Sequence, residues 1–202
     1  MGKQIWKAGN MLYPLPAVMV SCVRPGEKPN IITVAWTGTV CTNPPMVYIS
    51  VRPERYSYDI IRKTGEFVIN LTTGKMAKAT DFCGVRSGRE VDKFMEMHLT
   101  AMQAAHVQAP LIEESPVNIE CRVTEVKELG SHHMFLAEVL AVHVDEHYLD
   151  EKSKFNLNKI GLIAYSHGEY LESGNVIGNF GYSVRKRKKG KIKKYEKPNQ
   201  KK

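Results

Sequence analysis

The sequence has no long apolar run and no apolar start. No stretch approaches the roughly 18 consecutive apolar residues that a membrane-spanning helix needs. The first ten residues mix charged residues with glycine, whereas a signal peptide has an apolar segment there. We therefore expect a cytoplasmic protein with no membrane partner.

Cysteine is scarce, and its spacing indicates no site. The four cysteines form no CxxC pair, and no histidine stands at metal-ligand spacing from them: Cys22, Cys41, Cys83 and Cys121. Neither a zinc site nor a disulfide framework is indicated, so we expect no metal and four reduced thiols, mostly buried.

Several catalytic motifs are also absent. The sequence contains no GxGxxG after a strand, no GxxxxGK[ST], no HExxH and no GxSxG. The sequence therefore gives little support for four classes of protein: dinucleotide-binding Rossmann proteins, P-loop nucleotide hydrolases, zinc proteases and serine hydrolases.

Acidic residues are almost missing from the end of the chain. The formal net charge is +8, but residues 183–202 hold eleven Lys and Arg against one acid, so residues 1–182 carry about −2. We therefore predict one folded domain over 1–182, of ordinary size, and a basic, disordered tail over 183–202. A solvated tail is our interpretation, with a polyanion-binding arm as the alternative, and we expect no specific nucleic-acid partner.

What the sequence does contain is a set of short β-branched runs separated by turn residues. The predicted strands are residues 17–23, 31–36, 46–51, 67–71, 117–126 and 134–144. In the fifth run, alternation predicts an inward apolar face and an outward polar face: Val117, Ile119, Cys121 and Val123 against Asn118, Glu120, Arg122 and Thr124.

Helices are few. Residues 56–64 have apolar side chains at helical spacing, and Gly65 supplies a stop signal. Residues 75–97 predict a helix, a loop and a short helix, and residues 160–165 form a short apolar piece. The fold class is therefore mainly β with a few helices, in a closed or partly closed barrel that leaves few sheet edges exposed.

Two segments could bind a ligand. In the run Thr33-Val34-Ala35-Trp36-Thr37-Gly38-Thr39-Val40, short side chains would let a planar ligand reach the backbone, although a plain strand and polar loop is the alternative. In the run Ser50-Val51-Arg52-Pro53-Glu54-Arg55-Tyr56-Ser57, two arginines stand at a predicted helix N-terminus. This pattern favours a phosphate, with a capped helix and two solvated arginines as the alternative.

These segments stand in one order with several others. The order is AxxxSCxxPGxxPNxxTVAWTG, NPPMVxISVRPxRYS, GEFVxNL, CGxxSGRxxDKF and APxIxESPVxxEC. This order resembles the flavoredoxin branch of the flavin-reductase-like, FMN-binding split-barrel family, from about Trp6 to about Gly174. The resemblance implies a split β-barrel of Greek-key type, FMN as cofactor, and a homodimer with its flavin sites near the subunit interface.

The resemblance also implies roles for particular residues. The flavin ring would lie against the strand matching Thr33, Val34, Ala35 and Trp36 and the loop matching Thr37 to Val40. Ser50, Val51, Arg52, Tyr56 and Ser57 would bind the phosphate end. The loop matching Cys83, Gly84, Ser87, Gly88 and Lys93 would close near the flavin, with the charge of Lys93 suited to phosphate or to an anionic reduced ring.

A histidine beside the flavin is implied as well. The family pattern GDHxxFxGEV resembles Gly130-Ser131-His132-His133-Met134-Phe135-Leu136-Ala137-Glu138-Val139, with His132 at the position where a nicotinamide would stack. Ser131 replaces the Asp and Ala137 replaces the Gly of that pattern. A polar turn that leads into a strand is the alternative for His132.

The resulting hypothesis is an FMN-dependent oxidoreductase. It would pass electrons from a reduced donor, NAD(P)H among the candidates, through FMN to free flavin, a ferric complex or a redox protein. One alternative is an FMN-binding electron carrier without nicotinamide activity, and another is a barrel that binds nucleic acid through its tail. The flavin would carry the redox chemistry, so no nucleophilic side chain is required.

Overall fold

The fold is taken from a computed structural model, which describes residues 2–185. The strands are β1 Leu15–Pro16, β2 Val18–Cys22, β3 Asn30–Val34, β4 Thr37–Cys41, β5 Met46–Val51, β6 Glu66–Leu71, β7 Ala101–Met102, β8 Leu111–Ile112, β9 Val117–Leu129, β10 His132–Val144, β11 Ile163–Ser166 and β12 Glu169–Glu172. The α-helices are α1 Tyr56–Thr64, α2 Ala77–Val85 and α3 Lys93–Glu96. Short 3-10 helices cover Gly74–Met76, Glu146–Tyr148, Leu157–Lys159 and Tyr182–Val184.

The main sheet has seven antiparallel strands in the order β3-β2-β6-β9-β10-β5-β4. Its two edge strands, β3 and β4, follow one another in the chain, with only Ala35 and Trp36 between them. The sheet therefore curls until its ends approach, and the Ser50 N–H, which donates to the Trp36 carbonyl at 2.8 Å, extends the pairing of β4 with β5 into this connection. The result is a mainly β half-barrel, which confirms the predicted fold class of a mainly β, closed or partly closed barrel.

Helix α1 fills the inside of this half-barrel. Its buried side chains, Tyr58, Ile60 and Ile61, belong to one apolar cluster with strand residues that include Phe67 and Phe135. The helix ends at Gly65, which has φ of 70° and donates its N–H to the Ile61 carbonyl at 2.9 Å. Both ends of the predicted helix are confirmed, because a glycine tolerates this left-handed conformation.

A second apolar layer covers the outside of β2 and β3. Helices α2 and α3 and strand β8 pack there in a cluster of Met19, Ile31, Met76, Ala79, Cys83, Phe94 and Ile112. Every residue of β2 is therefore buried, and the predicted helix, loop and short helix after residue 75 are confirmed.

Two of the side chains predicted to face outward on the fifth run point into a buried layer instead. Asn118 and Glu120 are both buried, because the chain around residues 104–112 folds over them and buries Val107, Ala109 and Leu111 against β6. The alternation of β9 is correct for the barrel interior. The prediction that the opposite face is exposed is wrong for Asn118 and Glu120, because other parts of the chain cover both faces of β9 near its start.

Three further expectations need correction or lie outside the structure. Residues 37–40, expected as a loop beside the flavin, belong to edge strand β4, which pairs with β5. The last two predicted strands, 117–126 and 134–144, are longer than expected: β9 extends to Leu129 and β10 begins at His132, so only Gly130 and Ser131 form the turn. The predicted basic tail lies outside the described residues from 186 onward.

The cysteines and the end of the fold follow the sequence more closely. Cys22, Cys83 and Cys121 are buried, Cys41 is partly buried, and all four are free thiols. The apolar piece at 160–165 contributes β11 to a separate small sheet of order β1-β11-β12. Within residues 2–185, no helix has both the length and the apolar character required to cross a membrane.

Candidate functional site

A cavity of about 770 Å³ opens where β3 and β5 end. We call it the ring cavity, because the residues predicted to contact a planar ring line it. Nine residues predicted for cofactor binding or catalysis line it: Thr33, Val34, Ala35, Trp36, Ser50, Val51, Arg52, Gly84 and His132. Since β3 is an edge strand, one side of its backbone has no ladder partner, and its N–H and C=O groups can bond a ligand.

An aromatic pair stands in this cavity. The rings of Trp36 and His132 are stacked, with 5.8 Å between centroids and 12° between planes. Ser131 Oγ lies 3.0 Å from His132 Nδ1, at the turn between β9 and β10. The turn at the tip of the long hairpin thus brings His132 to the residue that joins β3 to β4, where it can contact a planar ligand.

The electrostatic surroundings keep His132 neutral. Burial lowers the pKa of His132, and the nearby Arg52 guanidinium lowers it further. The lowered pKa favours the neutral imidazole at pH 7, and this form can stack on a ring or donate a single hydrogen bond.

The effect of Arg52 on this histidine can be measured. In the Arg52→Ala variant, the pKa of His132 is expected to rise, because the positive charge that disfavours the imidazolium is gone. The measurement is a pH titration of the imidazole C–H signals by NMR. His147, whose pKa is raised by its hydrogen bond to Asp145, serves as the control and should titrate as in the parent protein. An unchanged or lower pKa at His132 would contradict the geometry.

A second cavity, of about 670 Å³, adjoins the first. We call it the basic cavity, since five cationic and two acidic side chains line it. Seven predicted residues lie here: Arg52, Tyr56, Ser57, Cys83, Ser87, Gly88 and Lys93. Arg52 and Arg55 line both cavities, and so does Ile32, which makes the two a continuous groove.

The excess positive charge of the basic cavity fits an anion. Its two acids are Glu54, which pairs with Arg52 at 3.6 Å, and Glu90, which pairs with Arg86 at 3.4 Å. The remaining cations exceed the charge of about −1.5 to −2 that a phosphate monoester carries at pH 7. The start of α1 lies in the same cavity, and its N-terminal N–H groups favour an anion as well.

The loop after α2 closes over this cavity at very short range. A Cβ on Gly88 would overlap the Asn30 side chain and lie 2.8 Å from Tyr56 Cδ1. Asn30 cannot easily move, because it is buried and its Nδ2 donates to Ser57 Oγ at 2.7 Å. Glycine at position 88 is therefore required for the loop to reach the start of α1.

Lys93 is placed differently from a simple phosphate ligand. Only 3% of its surface is exposed, and its Nζ donates to the carbonyls of Ile31 and Cys83 at 2.7 and 2.8 Å. Burial lowers the pKa of Lys93 to about 8. Lys93 therefore links α3 to β3 and α2 through two hydrogen bonds, and one of its three ammonium N–H groups is left to bind a ligand.

Two predicted residues lie apart from both cavities. Thr37 is buried and its Oγ1 donates to the Tyr48 carbonyl at 2.7 Å, while Val40 is about half exposed on edge strand β4. The structure brings neither of them to the groove.

Other lining residues were missed. Arg86 and Arg89 flank Ser87 and Gly88, which the sequence analysis had assigned to the site. Their position in the same turn could have indicated that these two arginines belong to the site as well. Asp81, Tyr165 and Tyr170 line the ring cavity, but no local pattern in the sequence marks the two tyrosines.

The fold and the groove together define a split-barrel protein of the flavin reductase type. A family model described as a flavin reductase-like domain matches residues 10–172, so the chain belongs to this family.

Individual proteins support the same assignment. The flavoredoxin of Desulfovibrio vulgaris (Miyazaki F) superposes with a TM-score of 0.84 at 29% identity, covering 91% of this chain and all of that one. A flavoredoxin from Methanosarcina acetivorans superposes with a TM-score of 0.81 at 29% identity, again over 91% of this chain and 100% of that one. A protein of Archaeoglobus fulgidus is 32% identical over 145 residues, which cover 72% of this chain and 81% of the relative. The expected resemblance to flavoredoxins is confirmed.

Proposed function

We propose that this protein binds FMN without a covalent bond and passes electrons through it between a reduced donor and an acceptor. The observation that carries the proposal is the continuous groove, in which Arg52 and Arg55 line both an aromatic cavity and a cationic one. A planar ring joined to a phosphate matches this order of environments. When bound, FMN would supply reversible acceptance of one or two electrons.

The chain's own residues would bind and orient the cofactor. The free edge of β3, at Thr33 and Val34, would offer backbone groups to the polar edge of the ring, and Trp36 and His132 line the ring cavity. Arg55 and Ser57 lie where the phosphate would sit, and Tyr56 is held by the guanidinium groups of Arg24 and Arg89, at 5.4 and 5.3 Å from its ring centre.

A comparison of two flavins tests the proposal. Titration of the full chain with FMN should quench flavin fluorescence at a 1:1 ratio, while riboflavin, which lacks the phosphate, should bind at least about tenfold more weakly. This expectation follows from the loss of charge-assisted hydrogen bonds in the basic cavity. Failure of both flavins to bind, together with an unchanged melting temperature at saturation, would end the proposal.

The donor and the acceptor are a second question. We propose NAD(P)H as donor and free flavin, a ferric complex or a redox protein as acceptor, with an FMN-binding electron carrier as the second candidate. The carrier is favoured by Ser131, which stands before His132 where the family pattern has Asp, and by the likeness to flavoredoxins. Anaerobic titration of the FMN-loaded protein with NADH and NADPH separates the two candidates. Only a protein that uses NAD(P)H as donor should lose the visible absorbance of its bound FMN on the time scale of turnover.

We also propose a homodimer. Large apolar side chains are almost fully exposed near both ends of the described chain: Ile5 at 101%, Trp6 at 74%, Ile177 at 94% and Phe180 at 106%. Exposed apolar residues in such number favour a protein interface. Asn10 of the N-terminal segment lines the ring cavity, so this segment lies near the proposed flavin site. Light scattering after gel filtration measures the mass directly.

A further inference from the structure

Two tyrosines on one side of the ring cavity are not used by the proposed FMN site. They are Tyr165 on β11 and Tyr170 on β12, and we call this side the tyrosine wall. These residues belong to the small sheet, in which the Ile163 N–H of β11 donates to the Thr72 carbonyl at 3.0 Å. They line the same cavity as Trp36 and His132 but come from a different part of the chain.

The two tyrosine rings are held in place by neighbours. Their centroids lie 5.9 Å apart with an interplanar angle of 63°, and the Tyr13 ring packs against Tyr165 at 6.2 Å in the same edge-to-face manner. The Tyr170 hydroxyl donates to Asp81 Oδ1 on α2 at 3.3 Å. A rigid aromatic surface of this kind binds another flat ring at little entropic cost.

The tyrosine wall carries no charge, and the carboxylate of Asp81 lies beside it. Burial and the nearby Asp81 raise the pKa of Tyr170 to about 12, so the phenol stays protonated at neutral pH. Asp81 would repel an anionic ring, while the cations of the groove, Arg52 and Arg55, lie toward the phosphate end. The wall therefore favours a neutral partner.

The size of the groove leaves room for a second ligand. In the proposed function, the ribityl phosphate lies in the basic cavity and only the flavin ring occupies the ring cavity. Yet the ring cavity alone has about 770 Å³, within the range of about 300–1,000 Å³ that takes a whole drug-sized ligand.

We propose that the tyrosine wall binds a second planar, uncharged ring of the quinone class, next to the flavin ring that β3 would hold. The Tyr165 phenol can donate a hydrogen bond to a ring carbonyl, which is why a quinone suits this wall. This inference rests on the proposed FMN site and adds a substrate class to it.

The test uses the full chain loaded with oxidised FMN and titrated with duroquinone, whose four methyl groups block addition of thiols. Its dissociation constant is expected to rise about three- to tenfold in Tyr165→Leu and in Tyr170→Leu, since leucine keeps apolar bulk but loses the aromatic contact. Tyr170→Phe should keep most of the affinity. Tyr182→Leu, at an exposed position outside the cavity, is the matched control and should change nothing.

The FMN dissociation constant of each variant is measured in parallel. If the parent protein binds FMN but not duroquinone, or if both leucine variants bind duroquinone as the parent does, the inference is wrong and the proposed function stands. An equal loss of FMN affinity would place the tyrosines in the flavin site and would also overturn the separate subsite. If the parent binds no FMN, the proposed function itself fails.

A second measurement covers leucine variants that do not fold. The ring protons of Tyr165 and Tyr170 are followed by NMR in the parent protein while duroquinone is added. Upfield shifts confined to these rings support the stacked ligand, and unchanged signals at saturating duroquinone overturn it.

Discussion

Replacing Arg52 with alanine is expected to weaken FMN binding by about 1.5–3 kcal/mol, or roughly 10- to 150-fold in the dissociation constant. The guanidinium lines both cavities, so it lies where the ring and the phosphate of the cofactor would join. Its side chain is 52% exposed, and the one ion pair that it forms within the described chain, with Glu54, is 3.6 Å long. An ion pair this exposed contributes little to folding, so the variant should remain folded.

The controls for Arg52 separate phosphate binding from a general loss of charge. Arg122→Ala removes an arginine that is about as exposed, contacts Glu66 at 3.8 Å and lies outside the groove, so FMN should bind to it normally. Riboflavin affinity should hardly change in Arg52→Ala, because that ligand has no phosphate. Equal losses for both flavins would assign Arg52 to the ring instead, and unchanged FMN affinity would move the phosphate site elsewhere.

The phosphate end of the groove could be read from the sequence because it is local. Arg52, Tyr56 and Ser57 lie within six positions, at the junction of a strand and a helix whose ends are marked by proline and by Gly65. Short-range geometry fixes where such residues point. The helix was therefore predicted with correct ends, and the three residues line one cavity.

The parts that could not be predicted depend on distant segments. Residues 37–40 look like a polar loop, and they form a strand only because β5 supplies a partner edge. Tyr165 and Tyr170 meet the ring cavity more than 120 residues after β3, through a small sheet whose strands are two to four residues long. Patterns of period two carry no information about which segment will cover a given face.

Glu120 shows the same limit most sharply. It was expected outside, but its carboxylate is fully buried and accepts hydrogen bonds from the backbone N–H groups of Ala105, His106 and Val107 at 2.9, 2.6 and 3.2 Å. His143 Nε2 lies 2.5 Å from Glu120 Oε1. One side chain thus satisfies three backbone donors of a segment that has almost no regular structure, which explains how that segment stays folded over β9.

Glu120→Ala is accordingly expected to destabilise the protein by about 3–5 kcal/mol, because it leaves three backbone donors, of which the Val107 N–H is buried, without their acceptor and opens a void in place of a fully buried side chain. A loss of this size is a large fraction of the stability of an ordinary domain. The measurement is urea unfolding at pH 7, with Glu125→Ala, exposed on the same strand, as a control that should stay within about 0.5 kcal/mol.

The pH dependence of this stability gives a second, independent test. Burial alone would raise the pKa of Glu120, but the hydrogen bonds from His143, Ala105 and His106 outweigh it and hold the pKa below the ordinary value of 4.5. In acid, the unfolded chain therefore takes up the proton first. The stability that the carboxylate contributes is full above pH 4.5 and is lost as the pH falls through the folded pKa. The difference in unfolding free energy between the parent and Glu120→Gln should shrink as the pH falls through that range. A difference that stays constant down to pH 3 would mean that the charged form of the Glu120 carboxylate is not what stabilises the segment.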